Sequence, residues 1–465
     1  MATSTMQMTD SGRTWLRERL RGGLIEPGGD GYDDARAVHS GMIDRHPAAI
    51  ACCVDAADVI AAVDAARENG LLVSVRGGSH NVNGFGTNDD GLVIDLSRMH
   101  GVQVDPQRRT ARVEGGATWG DLDHATHGFG LATTGGVVST TGVGGLTLGG
   151  GIGHLTRAHG LSCDNLLSAD VVTADGRFVT ASRTEHPDLF WALRGGGGNF
   201  GVVTSFEFQL HPVGTVIGGP VFYEIGAARE ALSFYRDFIG SAPDELGAFF
   251  GFHLAPPLPF LPPDRHGQPI CVIVACYAGD HDTGRDVVQP LLDFGPPVGH
   301  HLGPIPYPAL QSAFDPLYPP GLQHYWKAEF IKELTDQVID VHMTYGPRVP
   351  HVSSAVHLYP IDGAAGRVAP GETAFSYRDA NFATVIAAMY PDPRDTPANV
   401  AWVREYHAAL SAHSAGGAYV NFLMEEGQER IASTYRDNYP RLTEVKNAYD
   451  PGNLFRMNQN IKPQS

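Results

Sequence analysis

Basic residues are under-represented in this chain: 33 lysines and arginines stand against 51 aspartates and glutamates, a net charge of −18 at pH 7. A surplus of that sign argues against nucleic acid or an anionic membrane surface as partner. Cysteine is scarce as well. The five present (Cys52, Cys53, Cys163, Cys271 and Cys276) are odd in number and lack the spacing of a disulfide scaffold, which points to a reducing compartment. Cys271 and Cys276 stand too far apart for a CxxC pair, and no second pair completes a zinc site, so no metal is expected. No stretch approaches the ~20 apolar residues of a membrane span. The segment Met1 to Arg21 holds no apolar core ahead of its charges, so no signal peptide is read and a cytoplasmic location is expected. No Walker A pattern occurs, which removes a nucleoside-triphosphate site.

Glycine is what the chain has in excess: 57 in 465 residues, about 12 % against a usual ~7 %. The glycines concentrate in a few runs and need a local explanation. With 42 % hydrophobic and 18 % charged residues the remainder is ordinary globular protein, long enough for two or three domains.

The first such run is V-R-G-G-S-H-N-V-N-G-F-G, Val75 to Gly86. It follows one β-α-β unit: a strand from Ala48 to Val54, Asp55 as helix cap, Val59, Ile60, Val63 and Ala66 at helical spacing, Gly70 as stop, and a strand from Leu71 to Val75. A Gly-Gly pair after a strand lets backbone N–H groups approach an anion, with Arg76 adding charge. On these residues alone the stretch is either a phosphate-binding turn or a tight turn with a surface histidine, His80.

Nine glycines fall between Gly135 and Gly153, interleaved with Ser139, Thr140, Thr141 and Thr147. Interior glycine costs ~0.5–1 kcal/mol against alanine, so this density predicts a long loop wrapped along a cofactor. Its apolar members, Val137, Val138, Val143, Leu146, Leu148 and Ile152, argue against a flexible linker. A third run, R-G-G-G-G-N-F-G (194–201), matches G-x-G-x-x-G at Gly196, Gly198 and Gly201. A helix precedes it, a strand follows, and the later acidic residue is missing, so it is no Rossmann site.

A Pro/Gly-rich seam from His211 to Pro220 closes this half. Residues 221–415 alternate strands (Ala248 to Leu254, Ile270 to Tyr277, Val352 to Tyr359) with helices, predicting a second α+β domain with an antiparallel sheet. From Gly416 the run A-Y-V-N-F-L predicts an alternating strand with Tyr419 and Asn421 on one face. On that basis both could address one site, or Tyr419 is a core tyrosine with a satisfied hydroxyl. In the middle domain His357 and Tyr359 share one strand face, as do Phe250, Phe252 and Leu254 on another.

These pieces, together with G-L-S-C-D-N-L and the tail Y-D-P-G-N-L-F-R-M-N-Q-N-I, resemble the FAD-linked oxidases of the vanillyl-alcohol-oxidase superfamily, in the berberine-bridge-enzyme-like branch. The resemblance implies an α+β fold: a lead-in (1–44), a PCMH-type FAD-binding domain (45–215), a substrate domain with an antiparallel sheet flanked by helices (216–415), and a C-terminal segment (416–465) returning to the FAD domain. It implies FAD bonded covalently through His80. The second, cysteinyl attachment found in many members falls on Val138 here, so the flavin is expected to carry a single link.

The resemblance further assigns cofactor contacts to Arg76, Gly77, Gly78, Ser79 and Asn81 in the first turn. In the glycine loop it assigns them to Gly136, Val137, Val138, Ser139, Thr140, Gly142, Gly144, Gly145, Thr147, Gly153 and His154. Cys163, Asn165, Gly201, Val203, Asn458 and Asn460 complete the set, Cys163 as a small buried neighbour. Tyr419 is implied to act as the base above the flavin with Asn421 beside it, Thr141 stands where dioxygen approaches, and His357 and Tyr359 face substrate. The family's second acid or base, a carboxylate, has no counterpart on the His357 strand. The implied activity is that of an oxidase: hydride leaves a C–H next to O or N of an alcohol, a sugar-like hydroxyl or a specialised metabolite, and dioxygen becomes hydrogen peroxide. The expected partners are the small-molecule substrate and dioxygen, in a monomer or homodimer. A dehydrogenase with another acceptor, or a non-catalytic flavin carrier, are the rival readings.

Overall fold

The computed structural model describes residues 8–424 and 426–464. Its first layer grows from the β-α-β unit. Ala49–Cys52 and Val73–Arg76 flank Leu92–Asp95 in parallel, and Leu24–Ile25 adds an antiparallel edge. The helix Ala56–Asn69 starts where Asp55 accepts the backbone N–H of Asp58 at 3.1 Å and stops at Gly70, whose φ of 62° few other residues tolerate. It buries Val59, Val63 and Ala66 against these strands.

A second sheet is antiparallel, in the order Val102–Asp105, Thr110–Glu114, Val202–Gln209, Leu166–Val172, Phe178–Ser182. Between the two small sheets and the rest of the molecule run the glycine-rich segments. The Gly135 to Gly153 stretch is not loop throughout: Val143–Leu148 is helical, since Val143 and Leu148 turn into the core of the second sheet.

Among the described residues the largest sheet has eight antiparallel strands. Its path is Gly299–His300, Thr215–Glu224, Pro269–Tyr277, Leu246–Leu254, Ala355–Pro360, Phe382–Tyr390 and Gln323–Ile331, with Gly303–Pro306 also on Thr215–Glu224. The seam expected at His211 to Pro220 is therefore mostly strand. Its glycines serve close approach: a Cβ on Gly219, at φ 126°, would stand 2.0 Å from the carbonyl oxygen of His301. Helices Ala228–Ser241, Asp336–Tyr345 and Thr396–Ser411 cover one face of the sheet. Period-2 alternation then decides which side chains turn the other way. Phe250, Phe252 and Leu254, which share a face as expected, turn toward the helix-side core. Phe249, Tyr359, Val385, Ala387 and Met389 point to the opposite face.

The tail also departs from expectation. Ala418 to Leu423 is not a strand; Val420–Phe422 makes a short 3-10 turn. The reason is local: the Asn421 amide folds back to donate to the Leu146 carbonyl at 3.0 Å and to Tyr419 Oη at 2.7 Å, which a flat strand forbids. Two helices follow, Gln428–Tyr435 and Tyr439–Tyr449. Lys446 on that second helix is fully buried. Its ammonium donates to the carbonyls of Asn199 and Phe455 at 2.8 and 2.9 Å and to Asp450 at 2.6 Å, tying the tail to the 194–201 turn.

Candidate active site

A cavity lies between the glycine-rich segments and the inner face of the large sheet, with roughly 2080 Å3 free of protein atoms, its open mouth included. One wall is backbone-rich: Gly77 to Asn81, Gly136 to Val138, Thr141, Gly142, Gly144, Gly145, Gly198, Gly201, Val203 and Asn458. The other is sheet, His324, Trp326, His357, Tyr359, Val385, Ala387 and Met389, joined by Tyr318 from the turn after Asp315–Leu317. Tyr419, Val420, Asn421 and Phe422 stand between them. Among the described residues no Asp, Glu, Lys or Arg lines this space.

Glycine is required here for two separate reasons. At Gly78 a Cβ would lie 2.3 Å from the Gly142 nitrogen, so the two turns are pressed backbone to backbone. At Gly145 and Gly198 a Cβ would meet no protein atom within 4 Å, although both residues line the cavity. The room beside them is kept for something that is not protein. Polar atoms make the same point. Ser79 Oγ, Asn458 Oδ1, Tyr318 Oη, Trp326 Nε1 and both ring nitrogens of His324 are buried without a protein partner among the described residues. Each such atom costs ~1–3 kcal/mol when left unpaired. A ligand with polar groups along its length and an apolar ring system fits these walls, and FAD is such a ligand.

His80 stands at the centre of this lining. Its Nε2 lies 3.0 Å from Thr140 Oγ1, which leaves Nδ1 as the free ring nitrogen. Its ring stacks on His39 at 4.0 Å, and His324 meets His39 edge-on at 5.5 Å. Burial, helped by those two imidazoles, lowers its pKa to about 3. The side chain is therefore neutral near pH 7, as a nitrogen that attacks carbon must be.

Tyr419 is 1 % exposed. Its oxygen accepts the Gly151 N–H at 2.8 Å and the Asn421 amide at 2.7 Å. A hydroxyl has two acceptor positions and one proton, so both lone pairs are used and only the O–H remains to donate. Burial pushes this phenol above its usual pKa despite the two donors. At rest Tyr419 is thus a protonated donor, which runs against the expectation of a resident base. Gly149 makes the arrangement possible, because a Cβ there would come within 2.1 Å of Asn421 Oδ1.

The remaining sequence-predicted residues divide in two. Thr141, Val138, Val137, Asn81, His357 and Tyr359 line the cavity; Asn81 also accepts the Asn83 N–H at 3.0 Å and so shapes its own turn. Others act behind the lining. Arg76 donates to the Ala35 carbonyl, and Ser139 is held by Asp315. Thr147 and His154 are buried, and a Cβ on Gly153 would strike the Gly135 carbonyl. Asn165 ties together the carbonyls of His159 and Leu161. Cys163 is buried beside Asp164, its thiol pushed well above the usual range by burial, and Asn460 accepts from Gln428 through its backbone carbonyl. These eight, like Thr140, shape the loops and do not form the lining.

Sequence reasoning missed His39, Tyr318, His324, Trp326 and the row Val385, Ala387, Met389. The signals were present: Q-H-Y-W-K-A-E-F-I alternates, and F-A-T-V-I-A-A-M-Y is a β-branched and aromatic run of strand length. His39 carries no such signal, because a lone histidine in a lead-in segment says nothing of what it will stack upon.

Comparison with known proteins agrees with this architecture. Residues 47–182 match a family model described as an FAD binding domain, and residues 418–462 one described as berberine and berberine like. An FAD-linked oxidoreductase of Dictyostelium discoideum is 34 % identical over 411 residues, covering 87 % of this chain and 86 % of that protein. The structure of 6-hydroxy-D-nicotine oxidase from Arthrobacter nicotinovorans superimposes with a TM-score of 0.86 at 29 % identity, covering 96 % of this chain and 98 % of that one. A chitooligosaccharide oxidase superimposes with a TM-score of 0.83 at 26 % identity, covering 98 % and 100 %. The chain belongs to the FAD-linked oxidoreductases that join an FAD-binding domain to a berberine-like C-terminal segment. It is an FAD-dependent oxidoreductase of that family.

Proposed function

We propose that this protein is an oxidase of neutral, largely apolar small molecules. It removes a hydride from a carbon bearing a hydroxyl, and dioxygen is the final electron acceptor. The observation that carries the substrate class is the lining, free of charge among the described residues: Trp326, Tyr318, Phe422, Val385 and Met389 offer aromatic and aliphatic surface, and none of those residues is a carboxylate waiting for an ammonium. Burying an unpaired cation there is costly, so a protonated amine is a poor substrate and an aromatic alcohol a good one. The bound flavin supplies the two-electron acceptor for the hydride. Tyr419 donates its O–H to the substrate oxygen, and Asn421 and the Gly151 N–H hold the phenol in place. Thr141, a small residue on the cavity wall, leaves room for dioxygen.

The attachment is read as a single bond, to His80. Support comes from Val138 in the lining and from Cys163, which is buried outside it. The division into 1–44, 45–215, 216–415 and 416–465 draws support from the large antiparallel sheet, whose strands all lie between Thr215 and Tyr390. A cytoplasmic location is favoured by five unpaired, buried thiols. The test is anaerobic flavin bleaching by a panel of neutral aromatic alcohols against aromatic amines, followed by reoxidation in air with peroxide detection. Bleaching by the alcohols and fast reoxidation are expected; bleaching by cationic amines alone overturns the substrate reading. Acid precipitation of the protein should retain the yellow flavin, and His80→Ala should release it all.

A further inference from the structure

An oxidation of this kind must also dispose of the hydroxyl proton, and among the described residues the lining offers no carboxylate to take it. A chain of three side chains on the inner face of the large sheet stands in that position. Tyr359 lines the cavity, and its Oη lies 2.6 Å from His357 Nδ1. His357 Nε2 lies 2.7 Å from His253 Nε2. Gly251 pairs with His357 in the ladder and makes the room: a Cβ there would stand 3.0 Å from the His357 ring and 3.2 Å from His253. Phe249 and Phe314 close around the pair, with ring centroids 4.9 and 5.8 Å from that of His357.

A 2.7 Å contact between two ring nitrogens of neutral imidazoles holds one proton. Two arrangements satisfy the whole chain. In the first, Tyr359 donates to His357 Nδ1, His357 Nε2–H donates to His253 Nε2, and Tyr359 shows a lone pair to the cavity. In the second every proton has moved one link, His253 Nε2–H donates to His357, His357 Nδ1–H donates to Tyr359, and Tyr359 shows its O–H to the cavity. We propose that Tyr359, His357 and His253 form a proton relay that switches between these arrangements, with Tyr359 as catalytic residue and His253 as positioning residue.

The proposal rests on the oxidase reading for the source of the proton. As the C–H electron pair leaves with the hydride to the flavin, the O–H pair becomes the C=O π bond. The freed proton bonds to Tyr359 Oη, the tyrosine's own proton goes to His357 Nδ1, the His357 Nε2 proton goes to His253 Nε2, and the His253 Nδ1 proton leaves to water. No member is charged before or after. The first arrangement suits an alcohol, which donates; the second suits the carbonyl product, which accepts. Burial agrees with a neutral chain: it lowers the pKa of His253 to about 4 and holds that of His357 well below its usual value, with His253 adding to the effect. The other titratable groups bearing on the chain are Tyr318 and Tyr419, which face Tyr359.

The test uses holoenzyme labelled at the histidine ring nitrogens and read by nitrogen NMR near neutral pH, alone and with benzyl alcohol or benzaldehyde. Both rings should be neutral, each in one tautomer. Tyr359→Phe should move the proton on His253, which Tyr359 does not touch, and benzaldehyde should invert the tautomers that benzyl alcohol leaves in place. A cationic ring, or His253 resonances unmoved by Tyr359→Phe, overturns the relay. In stopped flow His253→Gln should slow anaerobic bleaching by benzyl alcohol by ~10²-fold with unchanged Kd; an unchanged rate overturns it. If benzyl alcohol neither binds nor bleaches the native protein, the substrate reading fails, and the spectra of the ligand-free holoenzyme still decide the relay.

Discussion

At the scale of single residues the site is set by which lone pairs are already spoken for. Tyr419 Oη has both occupied, by the Gly151 N–H and the Asn421 amide, so the group it offers is a donor held at a fixed angle. Tyr419→Phe should therefore keep the covalent flavin and slow anaerobic flavin reduction at least ~10-fold, while the pH profile of that step stays in place. A resident base would instead shift the profile, and stopped-flow reduction across pH separates the two. His80 and Tyr419 were legible in the sequence through motifs. His253 was not, because its function depends on a residue 104 positions away across a sheet whose register only the fold supplies.

At the scale of elements, legibility followed local punctuation. The Ala56–Asn69 helix has a capping aspartate and a terminal glycine, and its limits were readable to within a residue or so. The turn at Val420–Phe422 was not, since an alternating A-Y-V-N-F-L pattern is equally compatible with a strand until the Asn421 amide finds Leu146. Strand Phe382–Tyr390 is buried along its whole length, so it shows no alternation to read. The Tyr439–Tyr449 helix carries a different kind of information. Its Lys446 and the adjoining Asp450 are both fully buried, and Asp450 also accepts the backbone N–H groups of Leu454 and Phe455. Asp450→Ala should cost ~3–5 kcal/mol by stranding a buried ammonium. The urea midpoint measures it, and pairing the change with Lys446→Met should recover part of the loss. Flavin incorporation should fall as well, because Phe455 lines the cavity.

At the scale of the whole molecule, the fold holds many of its histidines neutral in its interior. Burial lowers His324 and His342 to about 3 and His154 and His253 to about 4, each from an ordinary 6.5. The sign follows from proton counting: below 6.5 the unfolded chain binds protons that the folded chain refuses, so stability falls as pH falls. The contribution is complete above pH ~6.5 and is lost progressively down to the folded values near 3 to 4. Carboxylates held below their usual pKa, such as Asp379 beside Lys332 and Arg436, lose their contribution only at lower pH, through about 2. Acid sensitivity should therefore begin in the histidine range, well before the carboxylates titrate. Urea unfolding followed by flavin fluorescence should show midpoints level from pH ~8 to ~6.5 and a steady decline from there toward ~4. His342 is the cleanest single probe, since its Nδ1 meets Tyr406 Oη at 2.6 Å in the helix-side core, far from the cavity lining. His342→Gln should flatten part of that decline while leaving flavin reduction untouched. A decline as steep in the variant as in the native protein would exclude His342 as a source of the acid sensitivity.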